Sequence, residues 1–315
     1  MLELMNRLVL RPDGRELRRR GTAQFPCSVY RTILGNYAGG EVPWHWHDEI
    51  EIKLMLEGTA VVSCDEETFL LHPGEGLFTN AHILHHTRGA DGGECILGSI
   101  VFEISLLAGN AGSIFGSRYL QPLYSNPRLP FVRLSPADAW QARALEAVRF
   151  AYDACAKEAF GYELDVRDGL SRFWRELACA NATLLTAPRC PENEASARMR
   201  KMLSFLEEHF TERITLDNIA AAAHISTREC LRCFDRIIGI PPVAYLLRRR
   251  ILYAAELLQG TELPVTEVCF RAGFHNPSYF SKQFREQMGC SPRAHREKFS
   301  GSAETGLFRN AANRQ

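Results

Sequence analysis

At 315 residues the chain exceeds what one hydrophobic core usually organises, so about two domains are expected. An apolar content of 46% and a charged content of 23% are ordinary for a soluble globular protein, and no apolar run approaches the roughly 18 residues of a bilayer-crossing helix. The net charge of zero hides a division: residues 1–195 carry 19 Lys/Arg against 25 Asp/Glu, residues 196–300 carry 16 against 11, and the last fifteen carry 2 against 1. A basic C-terminal third directs a polyanion hypothesis at that third alone.

The opening stretch "MLELMNRLVLRPDGRELRRR" lacks the ordered charged, apolar and small-residue zones of a secretion signal, so the protein is read as cytoplasmic. Its arginines, Arg18 to Arg20, form an arm that either contacts the rest of an assembly or is a solvated tail. The ten cysteines lie mostly among apolar neighbours and read as reduced packing residues; Cys230 and Cys233 form one C-x-x-C pair, with no second pair to complete a zinc site.

From about Phe25 to Phe102, short apolar runs alternate with the turn signals "GNYAGG", "LEG", "CDEE", "HPGEG" and "GADGG", which predicts an antiparallel all-β domain. Within it, "PWHWHDEIEI" places His45, His47, Glu49 and Glu51 on one face of an extended strand and Trp44, Trp46, Ile50 and Ile52 on the other. The spacing Gly39-x5-His45-x-His47-x3-Glu51-x6-Gly58 resembles the first cupin motif, and "PGEGLFTNAHILHH" offers His85 as a later partner, with His72, His82 and His86 nearby. Ala81 and His82 stand where the second motif has Pro-x-Gly. Such a set could bind a small effector without metal, could hold a divalent metal such as Fe, Mn, Zn or Ni, or could serve a metal-dependent enzyme.

Helical spacing begins near "LSPADAW", with Ser135 as a cap and Pro136 in the first turn, and continues to Thr186. The prolines of "TAPRCPENEAS" mark residues 187–196 as a linker. The expected organisation is a sensor domain over 1–186, with helices over about 135–186, a helical domain over 197–300, and a tail over 301–315.

In "ITLDNIAAAAHISTRECLRCFDRIIG", Thr215 caps a helix over Leu216 to Ala223, and Ser226 with Glu229 forms a capping box for a second. Cys230, Cys233, Phe234, Ile237 and Ile238 make the buried stripe of that helix and turn Arg228, Leu231, Arg232 and Asp235 outward. A second unit runs from Val265 to Gly289: a short helix ends at Gly273, Asn276 caps another with Pro277 first, and Phe280 and Phe284 point inward with Tyr279 alongside. Ser278, Lys282 and Arg285 face out. One long helix of about 18 residues, spanning roughly 27 Å, joins the units, so two recognition helices could enter successive major grooves of double-stranded DNA.

The stretch "RILYAAELLQGTELPVTEVCFRAGFHNPSYFSKQFREQMGCSPRAHR" resembles the AraC/XylS family of transcription regulators through Arg250, Ile251, Ala254, Leu257, Leu258, Gly273, Phe274, Ser278, Tyr279, Phe280, Phe284, Arg285, Gly289, Ser291, Pro292 and Arg296. The resemblance implies a cupin-like N-terminal barrel holding a small-molecule effector, such as a sugar or related metabolite, at His45, His47, Glu51 and His85. It also implies DNA contacts at Arg228, Leu231, Arg232, Ser278 and Lys282, with Arg285 beside them, dimerisation through the helices of the sensor domain, and action as an activator on RNA polymerase, without enzymatic turnover. A regulator sensing a metal ion or redox state stays open beside it.

Overall fold

The computed structural model describes residues 3–5, 8, 15–17, 20–90, 93–110, 112–124, 126–186 and 194–300. Arg18, Arg19, the greater part of the expected linker (187–193) and the tail (301–315) lie outside the described residues. The chain divides into two compact units, Met1–Ser204 and Phe205–Gln315.

The first unit carries strands β1 (Glu3–Met5), β2 (Cys27–Ile33), β3 (Glu41–His45), β4 (Ile50–Glu57), β5 (Ala60–Cys64), β6 (Glu67–Leu71), β7 (Gly76–Thr79), β8 (His85–Gly89) and β9 (Ile96–Phe102). A short helix α1 (Ser105–Ala108) and strand β10 (Phe131–Leu134) follow, then helices α2 (Ala139–Lys157), α3 (Tyr162–Ala180) and α4 (Ala182–Thr186). Six strands form one sheet in the order β1-β2-β9-β4-β7-β10, and four form another in the order β3-β8-β5-β6. Strand pairing is antiparallel apart from β1, which runs parallel to β2. The two strands outside the expected span, β1 and β10, extend the larger sheet at its edges.

Strand β4, "IEIKLMLE", shows why this architecture forms. Its alternation sends Ile50, Ile52 and Leu54 into an apolar cluster with α2 and α3, whereas Met55 joins a second cluster with Val62, Leu71 and Leu97. Successive strand residues face opposite sides, so Glu51 and Lys53 share the Met55 side. Both carry charge, yet they are only 6% and 5% exposed. Two charged groups in a buried layer mark a site rather than a packing surface.

Helices α2 and α3 cover the outer face of the larger sheet with Leu145, Val148, Phe173 and Trp174. They meet closely at Gly169, where an added Cβ would lie 2.7 Å from the Ala147 carbonyl oxygen. The entry to α2 differs from the expectation at Ser135: the helix starts at Ala139, and Asp138 caps it by accepting from the Trp140 amide. Asp138 is in extended conformation, and Ser135 instead accepts from the Ala137 amide in the preceding turn.

Helix α5 (Glu194–His209) precedes α6 (Leu216–Ala222), α7 (Thr227–Ile237), α8 (Pro242–Gly260), α9 (Val265–Arg271), α10 (Pro277–Met288) and α11 (Pro292–Ser300). Thr215 and Asn218 form a reciprocal capping box on α6. On α7, Ser226 accepts from the Glu229 amide, the half of the expected box that concerns the hydroxyl. Asn276 caps α10, and Gly289 ends it in the left-handed conformation.

The core of the second unit holds Phe234, Ile251, Ala254, Leu258, Phe280 and Phe284. Two expected positions differ. Ile238 is the half-buried C-cap of α7, and Tyr279 is 49% exposed beside inward Phe280, because one turn of α10 can bury only one side. Arg250 binds the Phe210 and Glu212 carbonyls at 2.6 Å each, and Arg249 grips Glu207 at 2.8 and 2.9 Å. These bonds fix α8 against the segment that leads into α6, and they account for part of the basic excess as internal structure.

Candidate effector site and nucleic-acid interface

In the four-stranded sheet, His45 on β3 stands directly opposite His85 on β8, with ring centroids 4.0 Å apart. The chain then leaves that sheet. Trp46 makes a single bridge to Arg15, the chain bends at Asp48 and Glu49, and β4 begins at Ile50 in the six-stranded sheet. The reading of His45, His47, Glu49 and Glu51 as one strand face is therefore corrected: His47 sits in the crossing turn, and Glu49 lies 3.8 Å from His47 Nδ1. A continuous strand could not pair in both sheets, so the bend is what brings side chains from the two layers together. His45, His47, Glu51 and His85 do converge, all buried, with one ligating atom from each within 4.8 Å of the others.

Their orientation is set by the backbone. His45 Nδ1 lies 2.8 Å from the Pro43 carbonyl, His47 Nδ1 3.0 Å from the Glu49 carbonyl, and His85 Nδ1 2.9 Å from the Ile83 carbonyl. A carbonyl can only accept, so each Nδ1 carries the proton and a neutral ring keeps its lone pair on Nε2. Burial, with the neighbouring His85 ring, holds His45 well below its ordinary value. Burial and then Lys53 bring His85 down to about 4, so both rings are neutral at pH 7.

Burial alone would push Glu51 upward; the Lys53 ammonium paired with it overrides this and holds the carboxyl well below its usual range. Glu51 Oε2 lies 3.1 Å from His85 Nε2 and 3.7 Å from His47 Nε2. Neither of these nitrogens makes a hydrogen bond. Three imidazoles and one carboxylate with oriented Nδ1 groups have the composition of an Fe, Mn, Zn or Ni site, and the two orphaned nitrogens fit such an ion.

His45 and Glu51 of this set border a cavity of about 20 Å³, whose other walls include Glu16, Arg20, Lys53 and Thr87. Arg20 pairs with Glu16, both 2% exposed in their side chains, and its guanidinium lies 4.8 Å from the centre of the Tyr30 ring. Of the expected basic arm, Arg20 is thus turned into the barrel instead of outward, because Glu16 and Tyr30 offer the charge and ring it needs once desolvated. Lys53 was legible from the alternation of β4; Glu16 and Arg20 gave no local signal, since their partners are distant in the chain.

The remaining histidines do not join the cluster. His86 stacks on Trp44 at 5.4 Å and reaches Glu41 at 3.1 Å. His72 lies 3.5 Å from the Thr59 hydroxyl. His82 faces Asp48 at 3.4 Å, and its amide donates to the His47 carbonyl at 2.8 Å. Its own carbonyl accepts from Arg200 on α5 at 3.0 Å.

In the second unit, α6 with α7 and α9 with α10 form two helix-turn-helix pairs packed on α8. Arg228, Leu231 and Arg232 on α7 are exposed, as are Ser278, Lys282 and Arg285 on α10. Positions i, i+4 and i+7 repeat in Ser278, Lys282 and Arg285, which puts them on one stripe. Arg232 is held by Glu229 of its own helix at 2.8 Å, and Lys282 lies 3.9 Å from Glu286. Both are surface pairs, worth little in water. Leu231, 44% exposed, offers a methyl surface and no hydrogen bond.

A β-unit with a buried polar cluster, followed by two helix-turn-helix pairs with exposed polar faces, is the architecture of a DNA-binding regulator with a ligand-binding domain. The AraC-like ligand binding domain model matches residues 30–166, and a helix-turn-helix domain model matches residues 219–298. The uncharacterized HTH-type transcriptional regulator YdeC of Bacillus subtilis (strain 168) is 32% identical over 293 residues, covering 93% of this chain and 99% of that protein. The HTH-type transcriptional activator RhaS of Shigella sonnei (strain Ss046) is 36% identical over 268 residues, covering 83% and 90%. Among solved structures, the DNA-binding domain of AdpA in complex with a target DNA is similar over 35% of this chain and 98% of that one, at 31% identity and a TM-score of 0.33. The chain belongs to the AraC family of transcriptional regulators. Among the described residues, no helix is long and apolar enough to cross a membrane.

Proposed function

We propose that this regulator is a ligand-controlled activator that reads DNA through Arg228, Leu231 and Arg232 on α7 and Ser278, Lys282 and Arg285 on α10. The observation that carries this reading is the pair of exposed polar stripes on the second helix of each helix-turn-helix pair. Arginine pairs with guanine edges, lysine positions the helix on phosphate, and Leu231 contacts a thymine methyl. The effector sits at His45, His47, Glu51 and His85. The sensor extends to Ser204 and the DNA-binding part begins at Phe205, so α5 (Glu194–His209) belongs to both and the expected joint at 187–196 already includes its first turn.

Control passes along the hydrogen bonds from the His47 carbonyl to the His82 amide and from the His82 carbonyl to Arg200 on α5. A ligand that moves His47 changes what holds α5. Two subunits pair through the outer face of α2 and α3, where Phe150, Phe160 and Leu164 are exposed, and the bound dimer recruits RNA polymerase, as the name of the RhaS activator suggests by analogy. Catalysis has no part in this account.

Fluorescence anisotropy on the chain's own upstream DNA tests the reading. Arg232→Ala is expected to cost about 1–3 kcal/mol of affinity and to relax base preference at one position, whereas Lys282→Ala weakens all sequences alike and lowers the salt slope by about 1. Binding that neither substitution alters would refute the assignment.

A further inference from the structure

We propose that the ligand of the barrel is a divalent transition-metal ion, held by the Nε2 atoms of His45, His47 and His85 and by the Glu51 carboxylate, in competition with the Lys53 ammonium. The inference rests on the reading of these four groups as the effector site and names the class of effector. Three observations carry it.

First, each Nδ1 is committed to a main-chain carbonyl, so the three rings aim their remaining nitrogens inward. His47 Nε2 and His85 Nε2 have no hydrogen-bond partner although their side chains are only 3% and 0% exposed. Two lone pairs facing a carboxylate oxygen at 3.7 and 3.1 Å are repelled by it, and the Lys53 ammonium that pairs with that oxygen satisfies neither nitrogen. Buried polar atoms left unmatched in a native fold require an explanation, and a bound cation supplies one.

Second, the size is right for an ion. Ligand atoms about 2.0–2.2 Å from one metal are at most about 4.4 Å apart. The four atoms here lie within 4.8 Å of one another, so rotations of about half an ångström close the shell. The adjoining cavity of about 20 Å³, walled in part by His45, Glu51 and Lys53, admits one water-sized occupant.

Third, Lys53 already supplies a cation to Glu51. An ammonium and a divalent ion cannot share one buried carboxylate without strong repulsion. Lys53 is therefore a built-in competitor that sets the affinity, and its removal strengthens metal binding.

The full-length protein, dialysed against chelator, is titrated calorimetrically with Zn²⁺ and examined with Co²⁺ for ligand-field absorption. One ion per chain is expected, with affinity falling at least about tenfold in His47→Ala and in Glu51→Gln and rising at least about tenfold in Lys53→Met. Thermal unfolding of the same variants gives a second reading: Lys53→Met should melt lower than the parent without ion and gain more from it. Should His47→Ala fail to fold, as judged by far-ultraviolet dichroism, Glu51→Gln carries the comparison.

Absence of stoichiometric binding, or binding that Glu51→Gln and Lys53→Met leave unchanged, overturns the metal assignment. Operator affinity measured with and without Zn²⁺ separates the two readings. If the ion binds with the expected variant pattern but operator affinity stays fixed, the site stands and the effector reading falls. If no ion binds but a metabolite shifts operator affinity in a manner lost in His47→Ala, the reverse holds.

Discussion

Gly273, between the two helices of the C-terminal helix-turn-helix pair, gives a quantitative test of how that pair is built. Its φ is +80°, and an added Cβ would lie 2.8 Å from both the Cα and the carbonyl oxygen of Thr211. Backbone atoms cannot swing aside as a side-chain tip can. Gly273→Ala therefore carries two penalties, about 1–2 kcal/mol for a left-handed residue with a Cβ and about 1–3 kcal/mol for forced overlap. Gly289 is an internal control: its φ is +72°, and nothing lies within 4 Å of an added Cβ. Gly289→Ala should show the torsional cost alone. In a domain of about 100 residues, 1 kcal/mol moves Tm by roughly 4–8 °C, so calorimetry of the full chain should place Gly273→Ala below Gly289→Ala by about 5–20 °C in the transition of the DNA-binding unit. Equal melting of the two variants would show that the close approach of Gly273 to Thr211 does not exist in solution.

Asp65 supplies a pH test. Burial raises its carboxyl from 3.8 to about 6, against the opposing pull of the Ser196 hydroxyl and the Arg200 guanidinium on α5. The folded protein therefore binds the proton more tightly than the unfolded chain. The resulting stability is full below about pH 4 and is lost as pH rises through about 6, a difference of about 3 kcal/mol at most. Asp65→Asn should remove that slope between pH 4 and 6.5 in thermal melts compared with the parent; parallel curves would contradict the burial argument. Phe160, in the turn between α2 and α3, is fully exposed, and Leu164 on α3 is 73% exposed. If this surface joins two subunits, Leu164→Asp with Phe160→Ser should convert a dimer to a monomer in sedimentation velocity while leaving the melting point within a few degrees; an unchanged sedimentation coefficient would remove α2 and α3 from the interface.

The DNA-binding unit was readable because its helices are short, capped and strongly amphipathic. Cys230, Cys233 and Phe234 bury one side of α7, which leaves Arg228, Leu231 and Arg232 no choice but to face out. Tyr279 escaped that logic, since an aromatic residue next to a buried Phe280 can sit at the boundary and remain half exposed. In the barrel, residue types and spacing indicate His45, His47, Glu51 and His85, but alternation along one strand does not describe how they meet, because the chain bends at Asp48 and Glu49 and crosses between sheets. Local periodicity says nothing of which sheet a strand will join. For the same reason Glu16 and Arg20, which wall the cavity, carried no mark: their burial depends on contacts across the fold.

DNA recognition as proposed requires α7 and α10 to act together as reading helices. Helix α8 between them has 19 residues, about 28 Å of rigid rod, comparable to the roughly 34 Å that separate successive major-groove faces. Methylation-protection footprinting of guanine N7 on an operator fragment measures this directly. Two protected stretches per subunit, one helical turn apart on the same face of the duplex, are predicted, one disappearing in Arg232→Ala and the other weakening in Lys282→Ala. A single protected groove per subunit, unchanged by either substitution, would contradict it.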